Sequence, residues 1–381
     1  MSEDDDVPQL LDADEEQGGA GGGDAFDRPK VPMTLLTGYL GAGKSTLLDY
    51  ILTADHGYRI AVCMNDFGDT TDIEAKSLTF NNPDEPNGTT DSMLTLPNGC
   101  LCCSFKDMGI QAIEDMVAVQ KDKIDWVMVE LTGLADPAPI ARGFWANEEM
   151  GDLILDSIVC VVDTKNVLKQ LAEDRPDNEP NEAEKQVACA DVILLNKTDL
   201  VSPETLSEVA ESVAAINPTL RVFETVKSRM PLDSLFNLKA FTSSAAAALP
   251  EGKACCADGK HDHDHAHGHR NAISTVTIPL PVLTGAQWEK LSGFLEALLW
   301  DGEERPPGLQ DPLPDVLRTK GYVRLEDGSE RVVQGVADMF EVTTPRGSTR
   351  DGDPEPSPKM VFIGRRVDER LGQALRSHVG F

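Results

Sequence analysis

The sequence predicts an α/β fold, in which a mostly parallel, doubly wound sheet is followed by a smaller α+β domain. Short apolar, β-rich runs alternate with helical stretches between Val31 and about Glu224, a pattern typical of βαβ units. A glycine-rich turn joins the first of these runs to a helix. Residues 242–271 interrupt the pattern with alanines and histidines, which indicates a linker. The length of 381 residues also favours about two domains.

Six apolar runs are rich enough in β-branched residues to be strands of the first sheet. They are Val31–Thr37, Arg59–Asn65, Trp126–Glu130, Ile158–Asp163, Val192–Asn196 and Arg221–Glu224. A helix is predicted at Thr46–Thr53, directly after the glycine-rich turn. Two polar segments, Thr79–Ser92 and Glu173–Glu184, are predicted to be long loops.

The second domain is predicted to mix strands and helices. Its elements are a strand at Ile273–Pro279, a helix at Gly285–Trp300, a hairpin or meander over Leu317–Val342 that turns at Asp327-Gly328, a strand at Met360–Ile363 and a helix at Glu369–Val379. The chain is therefore divided into an acidic tail (1–29), a first domain (30–241), a linker (242–271) and a second domain (272–381).

The charge of the chain excludes several classes of function. Its formal net charge is -31, which argues against binding to nucleic acid or to an anionic membrane. Ten of the first 27 residues are acidic, so this tail is predicted to be disordered. We find neither a signal peptide nor an apolar run long enough to span a bilayer. We therefore expect a cytoplasmic protein, with the nucleus as a further possible location.

The glycine-rich turn matches the pattern GxxxxGK[ST] and lies between a strand and a helix, the context that supports a phosphate-binding loop. Its backbone N–H groups would surround phosphate oxygens. Lys44 would reach the β- and γ-phosphates, and the Ser45 hydroxyl would hold Mg²⁺. The predicted nucleotide-binding residues here are Gly38, Tyr39, Leu40, Gly41, Ala42, Gly43, Lys44, Ser45 and Thr46.

A second motif, Asn196-Lys197-Thr198-Asp199, ends a later strand and predicts that the nucleotide is GTP. The Asp199 carboxylate can accept two hydrogen bonds from the Watson–Crick edge of guanine, which adenine cannot supply. Asn196 would anchor the loop, and the Lys197 stem would lie along the base.

Glu130 ends another strand and precedes Gly133, at the position where GTPases sense Mg²⁺ and the γ-phosphate. Lys44 and Glu130 are therefore the predicted catalytic residues. Leu134 follows Gly133 where a water-orienting glutamine could have stood, so we expect slow intrinsic hydrolysis that a metal or a partner accelerates.

Three cysteines lie within four residues, at Cys100, Cys102 and Cys103, just before a helical stretch. A nearby helix N-terminus lowers thiol pKa values, and thiolates suit Zn²⁺ or Cu(I). Three ligands leave a tetrahedral shell incomplete, which suits a site that releases its metal. A redox-active or buried trio is the alternative. We also predict nucleotide contacts for Cys103, Ser104, Phe105, Lys106 and Asp107.

The other cysteines divide into two groups. Cys63, Cys160 and Cys189 stand singly in apolar runs and are predicted to be core residues. Cys255-Cys256 and the histidines of 261–269 lie in the linker, where they could chelate metal weakly or be simply solvated.

Five motifs together resemble the CobW-type metallochaperone GTPases: GYLGAGKST, NDFG, GCLCC, ELTGLADP and NKTDL. The resemblance covers about residues 31–378 and implies a P-loop GTPase domain followed by a CobW-like C-terminal domain. Asp66 departs from the glutamate that the family has in NEFG. The stretches SRMPLDSLF and FIGRRVD resemble the eukaryotic branch called zinc-regulated GTPase metalloprotein activators.

That resemblance implies a chaperone that binds GTP, Mg²⁺ and Zn²⁺ and hands zinc to type 1 methionine aminopeptidase. Residues 5–12 match the short docking motif of that branch, through Val7, Pro8, Gln9, Leu10 and Leu11. We expect the nucleotide state to alter zinc affinity, because the cysteines lie between the phosphate loop and Glu130. The alternatives are a metal buffer or sensor that uses GTP as a structural ligand, and a chaperone for another metal such as cobalt.

Overall fold

The structure is a computed structural model. It describes residues 30–63, 78–81, 89–90, 108–120, 123–148, 151–173, 175–176, 179–241, 272–300, 305–345 and 356–381. These residues form an eight-stranded and a five-stranded sheet with helices packed on them. None of the helices in the described ranges is long and apolar enough to cross a membrane.

The first sheet has the strand order β4-β3-β2-β5-β1-β6-β7-β8. Its strands are β1 (Val31–Thr37), β2 (Ile60–Cys63), β3 (Leu78–Asn81), β4 (Thr89–Thr90), β5 (Trp126–Glu130), β6 (Leu153–Asp163), β7 (Val192–Asn196) and β8 (Arg221–Thr225). The six strands from β2 to β8 pair in parallel, whereas β3 and β4 add antiparallel strands at one edge. The predicted mostly parallel sheet is therefore confirmed.

Two details of the first sheet were predicted wrongly. The segment Thr79–Ser92, predicted to be loop, contributes to β3 and β4, and its polar sequence concealed these edge strands. Strand β6 begins at Leu153, five residues before the predicted start. The prediction missed these residues because Asp156 interrupts the apolar run. The buried Asp156 carboxylate accepts the backbone N–H groups of Leu238 and Lys239, which satisfies its charge within the fold.

In the described part of the first domain, six helices lie beside this sheet. They are α1 (Lys44–Thr53), α2 (Met108–Gln120), α3 (Pro137–Ala146), α4 (Val167–Leu171), α5 (Glu182–Cys189) and α6 (Pro203–Ile216). Helix α5 begins inside the predicted loop Glu173–Glu184. Its start is fixed by a capping box, in which Asn181 accepts from the Glu184 N–H and Glu184 accepts from the Asn181 N–H.

Helices cover both faces of the sheet, as the doubly wound prediction requires. Neighbouring residues of a strand point to opposite faces. Leu35 of β1 packs in the core beneath α2 and α3, and Leu36 packs in the core beneath α1. The single cysteines Cys63, Cys160 and Cys189 are buried, as predicted. Burial raises the pKa of Cys160 to about 12, so this thiol stays protonated at neutral pH.

The second sheet is antiparallel, with the order β12-β11-β10-β13-β9. Its strands are β9 (Ile273–Pro279), β10 (Asp315–Arg324), β11 (Glu330–Val336), β12 (Met339–Thr343) and β13 (Lys359–Arg365), and its helices are α7 (Gly285–Leu299) and α8 (Glu369–Val379). The predicted meander is confirmed. Its first turn contains Gly328 at φ +80°, a conformation that favours glycine.

The two domains share buried surface. Ile273, Val361 and Ile363 of the second sheet pack in one core cluster with Val187 and Ala188 of α5. Burying apolar surface from both sides stabilises their contact. The second domain therefore rests against α5 of the first domain.

Candidate nucleotide-binding site

The phosphate loop lies between β1 and α1 and is packed against two other strands. Gly38 has φ +137°, and a Cβ there would lie 2.2 Å from the carbonyl oxygen of Val161. Gly43 has φ +116°, and a Cβ there would lie 2.3 Å from Nδ2 of Asn196. Both glycines are therefore required by close contact as well as by backbone conformation.

Lys44 is the first residue of α1, and only 7% of it is exposed. Its Nζ donates to the carbonyl oxygen of Gly38 at 2.7 Å and reaches that of Tyr39 at 3.4 Å. Burial lowers the pKa of Lys44, and the Glu130 charge opposes this shift. The ammonium is thus held inside the loop, where a phosphate group would meet it.

Glu130 ends β5 beside β1, so the sheet places it close to the phosphate loop. The Ser45 hydroxyl donates to its Oε1 across 3.5 Å. Hydroxyl and carboxylate oxygens are ligands of the kind that Mg²⁺ prefers. The donor chemistry of this pair therefore fits the predicted magnesium ion.

Gly133 lies against the phosphate loop. A Cβ there would be 2.6 Å from the backbone nitrogen of Leu40 and 2.8 Å from its Cα. The adjacent side chains of Leu40 and Leu134 are 61% and 54% exposed. The segment after Glu130 is thus in direct contact with the loop, and no larger residue fits at Gly133 without movement.

The predicted guanine-reading residues lie beside the same loop. The Asn196 side chain donates to the Ala42 carbonyl at 2.9 Å, and its Oδ1 accepts from the Ser228 N–H at 2.8 Å. The Lys197 ammonium donates to the Gly41 carbonyl at 2.7 Å. Thr198 and Asp199 form a short 3-10 helix in which Asp199 is exposed. The structure therefore brings the two motifs together.

Two residues of this region were missed from the sequence. Asp163 accepts from Lys197 at 2.7 Å and from Asn166 at 2.8 Å. Burial alone would raise the pKa of Asp163, but these hydrogen bonds outweigh it and hold the pKa below its usual value. Its place at the carboxyl end of β6 was the available signal, since ligand sites gather at that edge of parallel sheets.

Ser228 is the second missed residue. It has φ +55°, and its hydroxyl donates to the Gly43 carbonyl at 3.0 Å. This hydroxyl and the Ser228 N–H join the turn after β8 to both nucleotide motifs. A serine in a turn has no sequence signal for such a role.

Several predicted site residues lie outside the described ranges. They are Cys100, Cys102 and Cys103, the run from Cys103 through Ser104, Phe105 and Lys106 to Asp107, the docking residues Val7–Leu11, Asp66, Cys255-Cys256 and the histidines of 261–269. Within the described ranges, no group of three or more His, Cys, Asp or Glu residues could hold a metal ion.

Family models match both domains. Residues 32–224 match the nucleotide-binding domain of the CobW/HypB/UreG proteins, and residues 284–379 match the C-terminal domain of the cobalamin synthesis protein CobW. The chain belongs to the CobW family. The CobW resemblance inferred from the five sequence motifs is therefore confirmed.

Named relatives are similar to this chain over most of their length. The chain is 34% identical to zinc-regulated GTPase metalloprotein activator 1 of Saccharomyces cerevisiae, over 94% of this chain and 85% of the yeast protein. It is 30% identical to the zinc chaperone YjiA of Escherichia coli, over 89% and 95% of the two chains. The Zn(II)-bound crystal structure of the YjiA GTPase aligns with a TM-score of 0.62 and 25% identity, covering 92% of this chain and 99% of YjiA.

These findings confirm the predicted GTPase activity of this CobW family chain. The described site has a buried lysine in the glycine-rich loop, a carboxylate beside a hydroxyl, and a nearby loop with an exposed carboxylate. Groups of these kinds can bind and orient a nucleoside triphosphate and stabilise the charge that develops when a γ-phosphate is transferred to water.

Proposed function

We propose that this chain is a zinc metallochaperone that couples GTP hydrolysis to the delivery of zinc to a client metalloenzyme, and that type 1 methionine aminopeptidase is that client. One observation supports the nucleotide part above all. The Asn196 side chain and the Lys197 ammonium both donate to carbonyls of the phosphate loop, so base recognition and phosphate recognition form one unit. The zinc part draws support from the relatives named as zinc-regulated or zinc chaperone proteins.

Each predicted residue has a role in this proposal. The backbone from Gly38 to Thr46 surrounds the phosphates, and Lys44 neutralises the β- and γ-phosphates. Ser45 and Glu130 hold Mg²⁺, which supplies charge stabilisation at the phosphates when bound. Asp199 reads guanine, while Asn196, Lys197 and Thr198 fix its loop. Cys103 through Asp107 add contacts to the nucleotide.

Zinc is the cargo in this proposal, and Cys100, Cys102 and Cys103 are its ligands. Three thiolates bind zinc and leave its fourth position for a ligand from the client. The cysteines lie in sequence between the phosphate loop and Glu130. We infer that the nucleotide state changes their zinc affinity, and that Val7, Pro8, Gln9, Leu10 and Leu11 dock on the client in the cytoplasm.

A transfer assay tests the whole proposal. The full chain is loaded with zinc and GTP and mixed with the apo form of type 1 methionine aminopeptidase, whose peptidase activity is followed. We expect activation with the natural chain. We expect no activation with Cys102→Ser, with Lys44→Ala, or after deletion of residues 1–12.

The variants separate the parts of the proposal. If Lys44→Ala activates the client as well as the natural chain, GTP does not drive transfer, and the chain acts as a metal buffer. If zinc binds equally tightly with a GTP analogue and with GDP, nucleotide control of the metal is wrong. If the chain without residues 1–12 activates the client while Cys102→Ser and Lys44→Ala do not, another surface recognises the client.

A further inference from the structure

Helix α5 is connected by hydrogen bonds to the loop that follows Glu130. The Gln186 side chain of α5 is 1% exposed. Its Nε2 donates to the carbonyl oxygens of Gly133 at 3.1 Å and Ala135 at 3.2 Å. A glutamine amide has two N–H donors, so one side chain satisfies both carbonyls. Gln186 thereby holds the loop at the residue that contacts the phosphate loop.

A neighbouring residue of α5 holds the end of the same loop. The Lys185 ammonium lies 3.3 Å from Oδ2 of Asp136. Asp136 is the N-cap of α3, where its other oxygen accepts from the Ala138 N–H at 3.0 Å. Lys185 and Gln186 thus fix both the loop and the beginning of the helix after it.

Residues at both ends of α5 contact the second domain. The Glu184 carboxylate accepts from the Ala272 N–H at 2.8 Å, where β9 begins. Asp191, two residues beyond the helix, lies 2.6 Å from Arg318 Nη2 and 2.9 Å from Lys320 Nζ. The side chains of this ion-pair group are 8% exposed or less. Breaking a buried ion pair by removing one partner is costly, so this group holds the end of α5 against the second domain.

A second ion pair connects α3 to the second domain. Arg142 Nη2 lies 2.8 Å from Asp338 Oδ2, in the turn between β11 and β12. The Arg142 side chain is 52% exposed and that of Asp338 is 27% exposed. The second domain therefore also contacts α3, the helix that follows the loop after Glu130. Because the Arg142–Asp338 pair is partly exposed, it can be changed without disturbing the core.

We propose that α5 couples the loop after Glu130 to the second domain, with Gln186 as the positioning residue, so that the second domain helps to set the rate of GTP hydrolysis. Gly133 touches Leu40 of the phosphate loop, and Gln186 holds the Gly133 carbonyl from the other side. Movement of the second domain acts on α5 through Asp191 and on α3 through Arg142. Both sets of contacts, through α5 and through α3, reach the loop after Glu130.

The first test replaces Gln186 in the full chain. Gln186→Met keeps the length of the side chain and removes both donors. We expect kcat for GTP hydrolysis to fall about tenfold and the preference for a GTP analogue over GDP to fall by a similar factor, a typical size for coupling between sites. GDP affinity should stay within about twofold, because this segment is predicted to sense the γ-phosphate, which GDP lacks.

A matched control separates positioning from stability. Val209→Ala truncates a fully buried side chain of α6 in the core cluster that also contains Val187 and Ala188 of α5. It should lower the free energy of unfolding without changing kcat. If Gln186→Met lowers the free energy of unfolding while kcat and the nucleotide preference stay unchanged, Gln186 is only structural and the proposal is wrong.

The second test acts on the exposed ion pair and needs no change in the core. Arg142→Asp and Asp338→Arg should each lower kcat severalfold, and the double variant with exchanged charges should recover most of it. Arg142→Asp combined with Gln186→Met should lower kcat by less than the product of the two effects, because both routes act on the same loop after Glu130. Unchanged kcat in Arg142→Asp, or effects that simply multiply, would overturn the coupling.

Discussion

The side-chain amide of Asn196 donates a 2.9 Å hydrogen bond to the carbonyl oxygen of Ala42, across 154 residues of sequence. The same side chain accepts the Ser228 N–H and the Thr225 hydroxyl through Oδ1. One buried residue therefore joins the glycine-rich loop after β1, the loop after β7 that is predicted to read guanine, and the turn after β8.

Replacing Asn196 by alanine should weaken nucleotide binding and stability together. Asn196→Ala leaves the Ala42 carbonyl and the Ser228 N–H without this partner, and unpaired buried groups cost about 1–3 kcal/mol each. We expect GDP affinity to fall by about tenfold or more, measured by fluorescence titration, with a matching loss of stability in urea.

Asn217→Ala is the matched control for that experiment. Asn217 is also buried, and its amide donates to the carbonyls of Val187, Ala188 and Ala190 at the end of α5, away from the nucleotide. It should lower stability while GDP affinity is retained. Equal losses of GDP affinity in the two variants would contradict the role given to Asn196.

Asp199→Asn should change which base is preferred. An asparagine offers one acceptor and one donor where the carboxylate offers two acceptors, which suits xanthine better than guanine. Losing a hydrogen bond to a charged group costs about 1.5–3 kcal/mol, so GTP affinity should fall about 10- to 150-fold. Xanthosine triphosphate should bind more tightly to the variant than to the natural chain, which a competition titration measures. Asp233→Asn, at another exposed carboxylate, should leave both affinities unchanged.

Gly133→Ala should reduce GTP hydrolysis. The added Cβ would lie 2.6 Å from the Leu40 backbone nitrogen, which side-chain motion cannot relieve, so the loop must move away from the phosphate loop. We expect kcat to fall by about 5- to 150-fold, which is the range that a cost of about 1–3 kcal/mol for overpacking gives if it falls on the active conformation. Gly293→Ala in α7 has no atom within 4 Å and should leave kcat unchanged while raising stability slightly. A Gly133→Ala variant with normal kcat would show that the contact is not needed.

Glu114 should make stability depend on pH. Its carboxylate on α2 is buried and accepts the Asp152 N–H at 2.8 Å, and burial raises its pKa above the ordinary value. A raised pKa means that the folded state holds this proton more tightly than the unfolded state. The favourable contribution is therefore complete below the unfolded-state pKa of about 4.3 and is lost as pH rises through the folded-state value.

Glu114→Gln removes that titration and retains an acceptor for the Asp152 N–H. We expect the difference in free energy of unfolding, variant minus natural chain, to increase in favour of the variant as pH rises from 4 towards 7. Urea unfolding at each pH measures it. A difference that does not change with pH would show that burial at Glu114 does not control its ionisation.

The local elements of this protein followed from the sequence. The runs Val31–Thr37, Trp126–Glu130 and Val192–Asn196 have the residue composition of strands and are strands with those bounds. The GxxxxGK[ST] pattern predicts the phosphate loop because only glycine adopts the positive φ of Gly38 and Gly43 without strain. Such features depend on neighbouring residues, which is why they can be predicted.

Tertiary structure decided what lies next to what. No local pattern places β5 and β6 on either side of β1, and this strand order brings Glu130 to Ser45. Asp163 became recognisable as part of the site only when Lys197 was found beside it. The contacts of α5 with both the Glu130 loop and the second domain likewise join segments far apart in the chain. Such contacts depend on how whole helices and strands pack together. The spacing of residues within one element carries no information about that packing.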